Sequence, residues 1–325
     1  MISSRRSRRA LALLAVLAPL LAGCAAAPRL AFPPAAASTE LTAVPFFPQT
    51  DYQCGPAALA TVLAAAGAPV APADLTREVY VAGLRGSLQP ELLGATRRNG
   101  LIPYVLAPEP SALVAELGAG RPVLVLQNLG FDRAPVWHYA VVVGLDAASD
   151  RVILRSGTEQ RRLERRTRFL RSWQRGASWA FVAVKPGELP ASATPRLYVR
   201  ALAGAEALLP AAGAEAAFAA ALERWPEDEV VLFAAAGRDL ARGDLNDAAQ
   251  LYRRLLVAAP HNAAARNNFA NVLAEQGCRD EALAQARAAR AELTPGDPLY
   301  ASVEDTVAAL ERSAAAAAAA GVQCQ

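Results

Sequence analysis

The chain has 325 residues, 54% of them hydrophobic, and 33 Lys and Arg against 30 Asp and Glu give a formal net charge of +3. The length accommodates two ordinary domains, and so small a charge leaves no surplus for a polyanion, so no nucleic-acid partner is expected. The four cysteines and two histidines include no Cys-x-x-Cys or Cys/His cluster with ligand spacing, so neither a metal nor an organic cofactor is expected.

In chain order, Arg5, Arg6, Arg8 and Arg9 precede a short apolar stretch over 10–21. A bilayer span needs about 20 apolar residues, so residues 1–23 read as a signal peptide. The sequence Leu21-Ala22-Gly23-Cys24 resembles a bacterial lipoprotein lipobox. That resemblance implies cleavage before Cys24, its diacylation and a membrane held through the lipid. With Ala25 following in place of an aspartate, it also implies the outer membrane, facing the periplasm. Residues 24–43, rich in Ala, Pro, Ser and Thr, read as a flexible tether.

Residues 44–187 alternate helical and strand patterns. Helices are expected over 55–66, 72–81, 88–99 and 111–117, and strands over 102–106, 122–127, 138–145, 151–155 and 179–184. The arginine run 161–175, with Phe169, Leu170 and Trp173 on one face, reads as a solvated amphipathic helix and not as a phosphate or anionic-lipid site. Helices first and strands later predict an α+β domain, helices packed on an antiparallel sheet, that ends in the breaker cluster 186–190.

The remainder, 195–320, is helical throughout and repeats itself. Gly243 and Gly277, Ala248 and Ala282, and Pro226 and Pro260 are each 34 residues apart. With Ala236, Tyr252, Ala258, Ala270 and Ala289 this pattern resembles tetratricopeptide helix pairs, which implies an all-α array that binds a protein partner. Cys278 and Cys324 could pair in a disulfide outside the cytoplasm or stay free; the sequence leaves both open. His261, in a turn between repeats, reads as structural.

The candidate chemistry lies in the first domain. Cys54 precedes Gly55-Pro56 at a helix start, where peptide dipoles favour a negative sulfur. His138, the only histidine in that half of the chain, opens an apolar strand far downstream and supplies a general base. Gln49, five residues before the cysteine, is placed to donate its amide to an oxyanion. Trp137 reads as packing beside the histidine, with a cleft wall as the alternative.

The stretches Val44-Pro45-Phe46-Phe47-Pro48-Gln49, Cys54-Gly55-Pro56-Ala57-Ala58-Leu59, Arg121-Pro122-Val123-Leu124-Val125 and His138-Tyr139-Ala140-Val141-Val142-Val143-Gly144 carry a resemblance. They resemble the bacteriocin-processing cysteine peptidases, a papain-like family that trims double-glycine leaders, and more closely a lipid-anchored subgroup with a helical-repeat tail. The resemblance implies a papain-like fold and a peptide or protein substrate, with Cys54 as nucleophile, His138 as base and Gln49 in the oxyanion hole. The family carries an aspartate on the strand after the histidine; here Ser156 stands in the acid's place, with Asp146, Asp150 and Asn128 as alternatives. The expected function is therefore a lipid-anchored cysteine peptidase. An inactive peptide-binding scaffold and a papain-like acyltransferase are the alternatives.

Overall fold

A computed structural model describes residues 31–33, 38–49 and 53–319. The expected signal segment, Cys24 and Cys324 lie outside them; Cys278, the possible disulfide partner of Cys324, is exposed. Among the described residues, a seven-stranded sheet has β4 (Ile102–Val105), β9 (Ala180–Val184), β5 (Val123–Asn128), β6 (Trp137–Asp146), β7 (Arg151–Ser156) and β8 (Glu159–Arg165) as successive neighbours. Every pairing is antiparallel. The strand β1 (Thr39–Glu40) extends the β5 side of β6, with Thr39 opposite Leu145.

Successive side chains of a strand point to opposite faces, and both faces of this sheet are covered. Leu124, Leu126, Tyr139, Val141, Ile153 and Phe181 pack with the helix α1 (Cys54–Ala65), behind which sit α2 (Pro72–Val79) and α3 (Gln89–Arg98). Between α2 and α3 runs a small hairpin of β2 (Tyr80–Val81) and β3 (Gly86–Ser87). Val123, Val125, Ala140, Val142, Leu154 and Val182 face the other way, onto α4 (Pro110–Gly118) and α5 (Arg166–Arg175). This double coverage is why the strands read in sequence as continuous apolar runs.

Two expectations are corrected. The arginine run is not one helix: Glu159–Arg165 is strand β8, and only Arg166–Arg175 is helical. Phe169 and Trp173 are buried as the apolar face requires, but Leu163 and Glu164 alternate with a strand's period, Leu163 exposed and Glu164 buried. Nor is the tether free as far as residue 43. Leu41 donates its N–H to the Val143 carbonyl at 2.8 Å, and the Phe32 and Phe169 rings stand 6.2 Å apart.

After β9 come α6 (Pro195–Ala205), α7 (Ala211–Arg224), α8 (Glu229–Arg242), α9 (Leu245–Ala258), α10 (Ala263–Glu275), α11 (Arg279–Ala291) and α12 (Tyr300–Ala319). From α8 onward each helix packs on the next. Gly243 (φ 80°) and Gly277 (φ 84°) follow α8 and α10 in left-handed conformation, a turn that glycine makes without strain. The helix α6 lies against the edge strand β4. The apolar core of the sheet's α5 face therefore continues through Tyr198 and Leu202 into Phe218, Leu232 and Tyr252, across the predicted boundary. Buried Glu116 pins that crossing. Its carboxylate accepts from Arg121 Nε (2.7 Å), Ser192 N (2.7 Å) and Ser192 Oγ (2.6 Å).

Candidate active site

Cys54 is the first residue of α1, and Gln53 before it makes no side-chain cap. The first-turn N–H groups are therefore not spent on a capping side chain. The helix opens there because Pro56 presets its backbone and gives up an N–H that the first turn does not use. Gly55 is needed for room: a Cβ there would stand 2.6 Å from Ser87 Cβ in β3. Tyr139, on the sheet face beneath α1, donates its hydroxyl to the Ser87 carbonyl at 3.2 Å. Helix start, hairpin and β6 are thus tied at one point.

Cys54 and His138 line one cavity of about 910 Å³, together with Gln49, Ser87, Trp137, Tyr139 and Gly157. The peptide N–H of Tyr139, the residue after His138, acts on the Cys54 sulfur, as do those of Gly55 and Cys54 itself. Burial pushes the thiol above its ordinary value and outweighs these donors. His138 is held down at about 4, first by burial and then by the Arg162 guanidinium. Thiol and imidazole are both neutral at neutral pH.

Ser156 Oγ lies 2.8 Å from His138 Nε2. When Nε2 carries the proton and donates it to Ser156, Nδ1 remains as the acceptor of the ring. The alternatives lie elsewhere. Asp146 accepts from Ser149 N and Oγ in the β6–β7 turn, and Asp150 of the same turn pairs with Arg166. Eight residues of strand separate Asp146 from His138, about 26 Å at strand rise. Asn128 Oδ1 accepts from Gly130 N and Val136 N, each at 3.0 Å, and so shapes the loop that leads into β6.

Gln49 reaches the cavity because its segment is fastened along β7. Its N–H donates to the Gly157 carbonyl at 3.0 Å. Arg155, buried, donates to the carbonyls of Val44 (3.2 Å) and Thr42 (3.4 Å). Sequence reading missed Arg155; an arginine inside an otherwise apolar strand was the available signal. Trp137 is half exposed and lines the cavity, the cleft-wall alternative to packing. Opposite His138 in register, buried Gln127 donates to Ser172 Oγ (2.7 Å) and Glu164 Oε2 (3.3 Å). His261 is exposed and pairs with Glu292 at 2.9 Å, far along the chain from the cavity residues. Among the described residues, no group of three or more His, Cys, Asp and Glu is placed to hold a metal ion.

The family model described as Peptidase_C39 like family matches residues 41–179, the segment that carries the cavity. Three solved structures resemble this chain. A crystal structure described as that of a C39-like peptidase from Bacillus anthracis is 19% identical (TM-score 0.39) over 46% of this chain and 98% of that one. The peptidase domain of Streptococcus ComA, a bifunctional ABC transporter involved in quorum sensing, is 19% identical (TM-score 0.36) over 43% and 98%. A double glycine motif protease from an AMS/PCAT transporter, solved with its leader peptide, is 20% identical (TM-score 0.33) over 44% and 91%. No curated protein matches the chain.

Proposed function

We propose that this chain, with its Peptidase_C39-like domain over residues 41–179, is a cysteine peptidase that hydrolyses peptide bonds through Cys54 and His138. The observation that carries the reading is the junction of the helix start with β6. Cys54 shares a cavity with His138, packs in one apolar cluster with Tyr139, the next residue of β6, and Ser156 Oγ meets Nε2 of the imidazole.

The steps follow from the neutral resting pair. His138 takes the thiol proton as Cys54 Sγ attacks the peptide carbonyl. The oxygen that gains charge is met by N–H groups at the start of α1 and by the Gln49 amide. His138 returns the proton to the leaving amine, and water, activated by the same ring, releases the acyl group. Because Ser156 carries no charge, the imidazolium of the transition state is oriented by a hydrogen bond and lacks a carboxylate's stabilisation.

The wider reading has Cys24 as a lipid anchor that holds the domain at the periplasmic face of an outer membrane. Helices α7 to α12 act as a tetratricopeptide-type module that recruits a protein. Its supports are the lipobox-like sequence and the 34-residue spacing of Gly243 and Gly277. A second reading, a peptide-binding scaffold without turnover, is favoured by one observation: Ser156, not a carboxylate, meets the His138 ring, and the charge of Arg162 disfavours its protonated form. Peptide cleavage by the wild type and by Cys54→Ala separates the two readings. Loss of activity in the variant supports the peptidase; a wild type that binds peptide and leaves it intact supports the scaffold. Membrane release on Cys24→Ser tests the anchor, and retention would refute it.

A further inference from the structure

Ten large apolar side chains are exposed among the described residues, and six of them, Leu84, Leu88, Leu129, Phe131, Val136 and Trp137, belong to two segments beside the cavity. Monomeric proteins scatter such residues singly, so a cluster marks a contact surface. Leu84 (61% exposed) and Leu88 (45%) flank β3 on one side; Val136 (57%) and Trp137 (54%) enter β6 on the other, and all four line the cavity that holds Cys54. Tyr139, two residues after Trp137, packs in one apolar cluster with Cys54, so the Trp137 end of β6 borders the nucleophile. Among the described residues no Asp or Glu lines the cavity, whereas Arg85 and Arg175 do.

A double-glycine sequence offers nothing to bury against these walls. We infer that the site takes peptides with a bulky apolar residue beside the scissile bond, seated against Leu84, Leu88, Val136 and Trp137, in preference to a double-glycine pair. This inference rests on the peptidase reading for its scissile bond, but its recognition half is measurable without turnover.

The test uses the full chain with Cys54→Ala and two fluorescein-labelled octapeptides that differ only in a central Leu-Phe or Gly-Gly pair. Anisotropy should show the Leu-Phe peptide binding roughly tenfold or more tightly, as expected when one large side chain leaves water. Trp137→Ala and, independently, Leu84→Ser at the exposed turn should each erase most of that preference. Equal or tighter binding of the Gly-Gly peptide would overturn the inference, as would a preference untouched by both variants. Vesicle binding lost on Leu84→Ser, with no discrimination between peptides, would assign the patch to a lipid surface and overturn it too. Cleavage by the wild type is scored separately. A preference without cleavage sinks the peptidase reading alone, and cleavage without the preference sinks this inference alone.

Discussion

At the scale of single residues, Ser156 is the position on which the chemistry turns. A serine hydroxyl orients the His138 ring at 2.8 Å but adds no charge, and burial with Arg162 holds the ring near 4. Ser156→Ala should lower kcat roughly fivefold with KM unchanged, the cost of one neutral hydrogen bond. Ser156→Asp makes the opposite change. A carboxylate favours the charged ring, so its pKa rises. On the proposed peptidase reading neutral His138 is the active base, so activity falls below that pKa, and the acid limb of kcat/KM should move to higher pH. A limb that stays in place would separate Ser156 from the imidazole. The depressed pKa also bears on stability. The native ring binds fewer protons than the unfolded one between the ordinary 6.5 and about 4, so stability is lost as pH falls through that window. Urea unfolding of His138→Gln should show a shallower loss there than the wild type. The helix that opens at Cys54 and the strand that carries His138 are legible in sequence because helix-start and strand-start signals are local, whereas Ser156 stands out only against the pattern of the resembled family. The Arg155 clamp and the exposure of Trp137 are not legible, because each depends on which distant segment lies across the strand.

At the scale of elements, the site is a junction of α1, β3 and β6, and Gly55 measures how close they come. Alanine in a helix gains about 1 kcal/mol over glycine. Here the added methyl meets Ser87 at 2.6 Å, and such overpacking costs typically about 1–3 kcal/mol. Gly55→Ala should therefore be net destabilising in urea melts, and it should lower activity more than stability because β3 borders the cavity. A stabilised, fully active variant would show that β3 yields freely. The long helices and apolar strands follow from periodicity. The strand β8 was hidden by its arginines, which read as one helix with α5, and β1 by its two-residue length within an Ala- and Pro-rich stretch. Charge run and composition decided those readings, and pairing with β7 and β6 overrode them.

At the scale of the whole molecule, the sheet and the helical tail share a core. The cluster 186–190 has a linker's composition, yet Glu116 binds Ser192 just beyond it, and Tyr104 accepts from Thr194 N and donates to the Ser192 carbonyl. Contacts between residues 76 apart leave no mark in composition, so the breaker cluster is visible in sequence and the packing across it is not. Removing the Glu116 carboxylate leaves Arg121 and Ser192 without their buried acceptor. Glu116→Ala should cost about 3–5 kcal/mol and split a single calorimetric transition into two. One undivided transition in the variant would mean that the shared apolar core alone couples the two parts. If the helices recruit a partner as proposed, the shared core sets its position relative to the cavity.

Mass spectrometry of the Leu-Phe octapeptide incubated with the full chain tests the central claim most directly. The account predicts cleavage at neutral pH, with the rate falling about a thousandfold or more in Cys54→Ala and in His138→Ala alike, because the two act as a unit. Cleavage that survives Cys54→Ala, or a bound peptide that the wild type leaves intact, would contradict it.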